Sequence, residues 1–242
     1  MNLVVDVGNT RVKVAVFKQD TIVELIIFKK SRIVTEIKKI LKKYIIESSI
    51  ISSVANLSPE KLKKLLNLSD FTELSSLTKV QFKNLYKTPN TLGVDRIALV
   101  NAAVNEYPKQ NVLIIDAGTC ITFDFISENK EYLGGAISPG IEMRYKSLKY
   151  FTSKLPLLER KQPSSFIGKN TNESINSGVV NGVLKEIEGV IEQYKNKYLH
   201  LTVVLTGGDT NFLSKQLKSS IFANQNFLLI GLNKILIFNK NK

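Results

Sequence analysis

The chain has no tryptophan, one cysteine and one histidine in 242 residues. The single cysteine, Cys120, excludes an intrachain disulfide and leaves no cysteine cluster to hold a structural zinc. It fits a reducing compartment, and we read it as a small packing residue rather than a reactive thiol. The lone histidine, His200, has no Ser or Cys nucleophile pattern near it and is read as structural or solvated. No apolar run approaches the ~20 residues needed to cross a bilayer. The chain also opens directly into its first motif, so no signal peptide is expected. These absences predict a soluble cytoplasmic protein with no membrane partner. Two phosphate-binding signatures are missing as well. There is no Gly-x-x-x-x-Gly-Lys-Ser/Thr, and no Gly-x-Gly-x-x-Gly after a strand, which excludes a P-loop and a dinucleotide-binding crossover.

What is present is an ordinary globular composition, 43% hydrophobic and 23% charged, over a length that suits one large domain or two of about 120 residues. The formal net charge is +13, from 34 Lys+Arg against 21 Asp+Glu. The excess is mostly lysine on helical faces, such as Lys38, Lys39, Lys42 and Lys43, without interleaved aromatics. No helix-turn-helix, zinc-finger or RNP-like pattern accompanies it. A solvated surface that attracts small anionic substrates is therefore expected, and a nucleic-acid partner is not.

One pattern occurs twice. Residues 2–10 and 111–119 are near copies, each an apolar run that ends in Asp, then Gly, then Thr, with alternating apolar residues beyond. The two aspartates, Asp6 and Asp116, lie close to half a chain length apart, which predicts two similar halves, 1–109 and 110–242. Strands are expected over 2–6, 11–17, 22–28, 49–54, 111–116, 121–126, 132–138, 201–206 and 227–230. Helices are expected over 33–44, from the Ser58-Pro59-Glu60 start to about 66, over 94–106, from Pro139-Gly140 to about 148, and from Thr171 to about 198. Residues 83–93 and 155–168 read as loops. The fold class is mixed α/β.

A turn of Gly and small polar residues exposes backbone N–H groups to an anion, and Thr hydroxyls add donors. An Asp at the strand end suits Mg²⁺, which prefers carboxylate, water and phosphate oxygens. Two matching turns point to a nucleotide phosphate and its metal. Thr206-Gly207-Gly208-Asp209, at another strand end, would let a flat adenosine approach the backbone. Gly93-Val94-Asp95-Arg96 stands at a helix N-terminus. There Asp95 reads either as a first-turn helix residue paired with Arg96, or as a general base toward an alcohol with Arg96 clamping an anion.

In this combination and order the chain resembles the type III pantothenate kinases, of the superfamily of acetate and sugar kinases, Hsp70 and actin. The matching elements are Asp6-Val-Gly8-Asn9-Thr10-Arg-Val-Lys13, Tyr86-x-x-Pro89-x-x-Leu92-Gly93-Val94-Asp95-Arg96 and Asp116-Ala-Gly118-Thr119-Cys-Ile-Thr122-x-Asp124. They continue with Gly134-Gly135-Ala-Ile-Ser-Pro139-Gly140, Gly168-Lys169-Asn170-Thr171 and Thr206-Gly207-Gly208-Asp209.

The resemblance implies a duplicated ribonuclease-H-like (actin-like ATPase) fold, with two similar halves around a central cleft. It implies ATP-dependent phosphorylation of pantothenate to 4'-phosphopantothenate, the first step toward coenzyme A. By position, Asp6, Val7, Gly8, Asn9, Thr10, Arg11, Val12 and Lys13 would form the first ATP phosphate loop, with Asp6 near Mg²⁺, and Thr119 would contact ATP phosphate. Asp95 would accept the proton of the pantothenate hydroxyl. Tyr86, Gly93, Val94, Asp95, Arg96 and Thr171 would bind pantothenate, and Asp116 a monovalent cation, K⁺ or NH₄⁺. The implied assembly is a homodimer. Cys120 and Thr210 depart from the familiar pattern, and neither is a proposed catalytic group. The competing readings are another small-molecule kinase on the same fold, a catalytically silent relative acting as a regulatory or accessory binding protein, and a nucleic-acid binder.

Overall fold

The computed structural model describes residues 1–53 and 58–240, so the last residue of the strand expected over 49–54 lies outside the described residues. The chain forms two compact units. One comprises Met1–Lys109, Asn129–Leu133 and Asn226–Lys242, and the other Gln110–Glu128 and Gly134–Gln225.

The first unit opens with an antiparallel meander, β1 (Asn2–Val7), β2 (Val12–Lys18) and β3 (Thr21–Phe28). Helix α1 (Ile33–Lys43) follows, then β4 (Ser48–Ser53), α2 (Pro59–Leu66) and β5 (Phe71–Glu73). The sheet order is β3-β2-β1-β4-β5, with β4 parallel to β1 and β5 parallel to β4. Alternation sorts the strands into two faces. Leu3, Val5, Val7, Val12, Val14, Val16 and Ile51 form one core with Ile33, Ile37 and Ile40 of α1 and Leu65 of α2. The isoleucines recur at helical spacing, which is why the lysines between them stay outside. The Ser58 hydroxyl caps α2 by accepting from the Lys61 N–H at 3.4 Å.

On the opposite face of this sheet lie α3 (Val94–Glu106) and α7 (Phe227–Lys240), which pack on each other and on β4. The Asn2 amide donates to Asn233 Oδ1 of α7 at 2.9 Å, and Asn233 donates to the Gln19 carbonyl at 2.9 Å. The expected strand over 227–230 is thus the first turn of a helix. A short apolar run fits a buried strand and a buried helix equally by pattern, and burial against α3 decides for the helix. This packing also places the last helix in the first unit, so the compact units are not a single cut at residue 110. The loop expected over 83–93 holds a two-residue strand, β6 (Lys83–Asn84), and a single 3₁₀ turn at Pro89–Thr91.

The second unit repeats the plan. It contains β7 (Asn111–Ala117), β8 (Cys120–Ile126), β9 (Glu131–Pro139), α4 (Ile141–Tyr150), α5 (Thr171–Lys197), β10 (Leu201–Thr206), α6 (Thr210–Leu213) and β11 (Phe222–Ala223). Its strands run β9-β8-β7-β10-β11, the same order as the first sheet, again with an antiparallel opening pair and a parallel third partner. The start of β9 belongs to the first unit, where Glu131 and Tyr132 pair with β6. Leu113, Ile115, Ala117, Ile121 and Phe123 share a core with Val179, Val183, Ile187 and Ile191 of α5. The repeated motif predicted two similar halves and the family resemblance a duplicated actin-like fold, and the five strands of the first sheet are matched in order by five of the second. Among the described residues no helix is long and apolar enough to cross a membrane.

Candidate active site

In the first unit, Asp6 stands one residue before the end of β1, on the face away from the α1 core. Its ladder neighbours are Lys13 on β2 and Ser52 on β4. Burial pushes its carboxyl from an ordinary 3.8 up to about 7, with the Lys13 ammonium opposing and the charge of Asp95 adding to the rise. Lys13 and Asp95 are thus each close enough for Asp6 to feel their charge.

This shift has a consequence for stability. The native carboxyl holds its proton to about pH 7, while the unfolded one releases it near 3.8, so the contribution of Asp6 is fullest below pH 4 and declines as pH rises to about 7. Melting temperatures of the metal-free protein, measured from pH 4 to 8, should fall less steeply in Asp6→Asn than in the wild type. Equal slopes would mean that Asp6 titrates normally.

The turn after β1 closes through a Gly8 N–H bond to the Arg11 carbonyl at 3.1 Å and leaves Asn9, Thr10 and Arg11 exposed. Val7 and Val12, which flank it, point into the core. Only their backbone groups can serve a ligand.

Gly93 is the N-cap of helix α3. Asp95 lies in its first turn, where the free N–H groups and dipole favour a carboxylate, and its Oδ1 accepts from the Arg96 N–H at 2.8 Å. Arg96 is buried, and its guanidinium lies over the Tyr86 ring at 5.6 Å. Tyr86 in turn stacks on the fully buried Tyr132, centroid to centroid 6.1 Å, and Tyr132 meets Phe82 edge-on at 6.0 Å. The backbone holds this stack. The Leu85 N–H donates to the Tyr132 carbonyl at 3.0 Å, and the Tyr86 N–H to Asn84 Oδ1 at 3.0 Å. The fully buried Asn101 of α3 accepts from the Gln81 N–H at 3.0 Å, tying the preceding segment down. The sequence reading missed Tyr132. A lone tyrosine in an alternating strand carries no signal until β6 lies beside it.

In the second unit, Asp116 repeats the position of Asp6, with ladder neighbours Thr122 on β8 and Thr206 on β10. Its turn is tighter, closed by the Gly118 N–H to the Cys120 carbonyl at 2.9 Å, and Thr119 at its tip is exposed. After β10 the chain passes directly against β7. Gly207 has φ +95°, and a Cβ there would lie 2.3 Å from both the Ala117 carbonyl oxygen and Asp116 Oδ1, so only glycine fits. The Asp209 N–H then donates to the Ala117 carbonyl at 2.9 Å.

The Asp209 carboxyl is raised by burial, against the pull of its ion-pair partner Arg160. Arg160 comes from the long segment before α5 and covers the Phe212 ring at 4.5 Å. Neither contact was legible in sequence, because a loop arginine has no periodicity. Thr171 is the exposed first residue of α5, behind an Asn170 cap that accepts from the Glu173 N–H at 3.0 Å. It opens on a cavity of about 660 Å³ between α4 and α5, shared with Arg144 and Leu155. Among the described residues no three His, Cys, Asp or Glu side chains gather as a metal cage. Asp6, alone at a strand end, offers the hard oxygen donor that suits an ion completed by phosphate and water.

The geometry can be set beside known proteins. A family model described as type III pantothenate kinase matches residues 2–193. A type III pantothenate kinase of Christiangramia forsetii is 51% identical over 243 residues, covering 100% of both chains. Among solved structures, a Campylobacter jejuni protein assigned to the Baf family of transcriptional activators matches 99% of this chain and 100% of its own, with TM-score 0.64 and 24% identity. A glucokinase from an Antarctic psychrotroph matches 98% of each chain, with TM-score 0.55 and 13% identity. At those identities the two structures speak for the fold alone.

Proposed function

The chain belongs to the type III pantothenate kinase family, and from that premise we propose how its residues divide the reaction. The protein is a kinase that phosphorylates pantothenate with ATP, a step of coenzyme A synthesis. Phosphoryl transfer requires an aligned acceptor hydroxyl, neutralised phosphate charge and a destination for the hydroxyl proton. Asp95 takes that proton as the acceptor oxygen bonds to the γ-phosphorus and the bond to the β-phosphate oxygen breaks. The observation that carries this reading is its carboxylate in the first turn of α3, with Oδ1 fixed by the Arg96 N–H and within electrostatic reach of Asp6.

Arg96, steadied on Tyr86, pairs with the carboxylate of pantothenate, while Gly93 and Val94 supply the wall beside Asp95. The exposed turn of Asn9, Thr10 and Arg11, with Lys13 on the following strand, cradles the ATP phosphates, and the exposed Thr119 hydroxyl of the corresponding turn in the second repeat is a phosphate donor as well. Asp6 holds Mg²⁺ together with the phosphates; the ion, when bound, offsets their charge. Asp116 takes a monovalent cation, K⁺ or NH₄⁺. Tyr150, Phe151, Phe166 and Ile167, from 69% to 82% exposed, support a homodimer formed on the α4–α5 side, near Thr171. The single cysteine supports a cytoplasmic location.

The test is ADP release from Mg-ATP, with the product identified by mass. ADP should appear only with pantothenate, as phosphopantothenate, and faster with K⁺ or NH₄⁺ than with Na⁺. Release that ignores pantothenate would overturn the assignment. Cation-independent turnover would remove only the role of Asp116.

A further inference from the structure

Ser52 stands one residue before the end of β4, at the register position of Asp6 and on the same face of the sheet. It is fully buried, and its Oγ has no hydrogen-bond partner among the described residues. The same strand satisfies its other buried hydroxyl. Ser49, also fully buried but on the opposite face, meets Ser69 Oγ at 2.8 Å. A buried hydroxyl without a partner destabilises the folded chain, and alanine would remove the penalty without creating a cavity larger than one oxygen. The position also recurs. In the second repeat the buried Thr206 occupies the matching place beside Asp116. A hydroxyl placed twice beside the carboxylate one residue before the end of the central strand, and in the first repeat left without a partner among the described residues, indicates a partner that arrives with the ligand.

We propose that Ser52 is a positioning residue for the divalent-ion site, its hydroxyl bonding a water of the metal that Asp6 accepts together with ATP. This rests on the reading of Asp6 given above. Mg²⁺ keeps several of its waters when held by one carboxylate and phosphates, and each of those waters is a hydrogen-bond donor. On the other side of Asp6 the ladder neighbour is Lys13, a cation that cannot accept from such a water, so the acceptor on the sheet is Ser52. Groups that support a metal from outside its ligand set change its affinity by about 10- to 100-fold when removed.

The test compares wild type, Ser52→Ala and Ser52→Thr by two readouts. One is the melting temperature in EDTA. The other is Mn²⁺ titration followed by electron paramagnetic resonance, with a non-hydrolysable ATP analogue present. Ser52→Ala should melt at or above the wild-type temperature and require about tenfold more Mn²⁺ for half-saturation. Ser52→Thr, which keeps the hydroxyl, should titrate with Mn²⁺ like the wild type. A wild-type titration in Ser52→Ala would overturn the proposal, as would a lowered melting temperature in EDTA, which would show that the hydroxyl already has a protein partner. A wild type that binds no Mn²⁺ with the analogue would overturn the reading of Asp6 itself.

Discussion

Asp95→Asn should lower kcat for pantothenate phosphorylation by about 10²- to 10⁴-fold, the range supplied by a positioned general base. The substitution keeps the carbonyl oxygen that accepts from the Arg96 N–H, so the start of α3 and the stack of Arg96 on Tyr86 should survive. Binding of a non-hydrolysable ATP analogue should therefore change little, and kcat rather than the KM for ATP should carry the loss. A second signature follows from electrostatics. Asp95 is one of the causes that hold the Asp6 carboxyl near 7, so its neutralisation should let Asp6 ionise at lower pH, visible as a shift in the pH dependence of the melting temperature. Wild-type turnover in Asp95→Asn would take Asp95 out of the mechanism.

Gly231→Ala should be the most damaging single-methyl addition to the first unit. A Cβ at Gly231 would stand 1.9 Å from the Ala98 carbonyl oxygen and 2.7 Å from its carbon, on the facing helix α3. Backbone cannot swing aside as a long side chain can, so α3 and α7 would have to separate along their contact. Overpacking of this kind costs about 3 kcal/mol or more, which for a chain of this size lowers the melting temperature by roughly 6–12 °C. Because α3 also carries Asp95 and Arg96, kcat should fall with stability. Gly189→Ala is the matched control. It lies inside α5 with nothing within 4 Å of the added Cβ, and alanine there should raise stability by about 0.5–1 kcal/mol. Thermal unfolding of the two variants should give opposite signs, and a neutral Gly231→Ala would mean the helix contact is looser than its geometry.

The parts of the fold legible in the sequence are those in which neighbours along the chain report a shared environment. Ile33, Ile37 and Ile40 mark a helix face, the alternation through β1 and β2 marks two sheet faces, and Ser58-Pro59 marks a helix start. The candidate site was legible to the same extent. Asp6 and Asp116 stand out because each ends an apolar strand before glycine, and Asp95 because it opens a helix behind Gly93. The run Phe227–Ile230 was misread as a strand because four apolar residues carry no period long enough to separate the two. Ser52 and Tyr132 were passed over because their meaning lies wholly across the chain, in Asp6 and in Tyr86.

The sequence by itself determined that two related halves exist, where their acidic turns fall and which chemistry those turns can serve, because repeats, periodicities and turn residues are local properties of the chain. Tertiary structure alone decided that α7 returns to α3, that Arg96 rests on Tyr86 over Tyr132, and that a buried serine without a partner among the described residues sits next to Asp6. Each of those depends on which surfaces meet after long stretches of intervening chain, and on the close packing that lets one carbonyl oxygen exclude a methyl group.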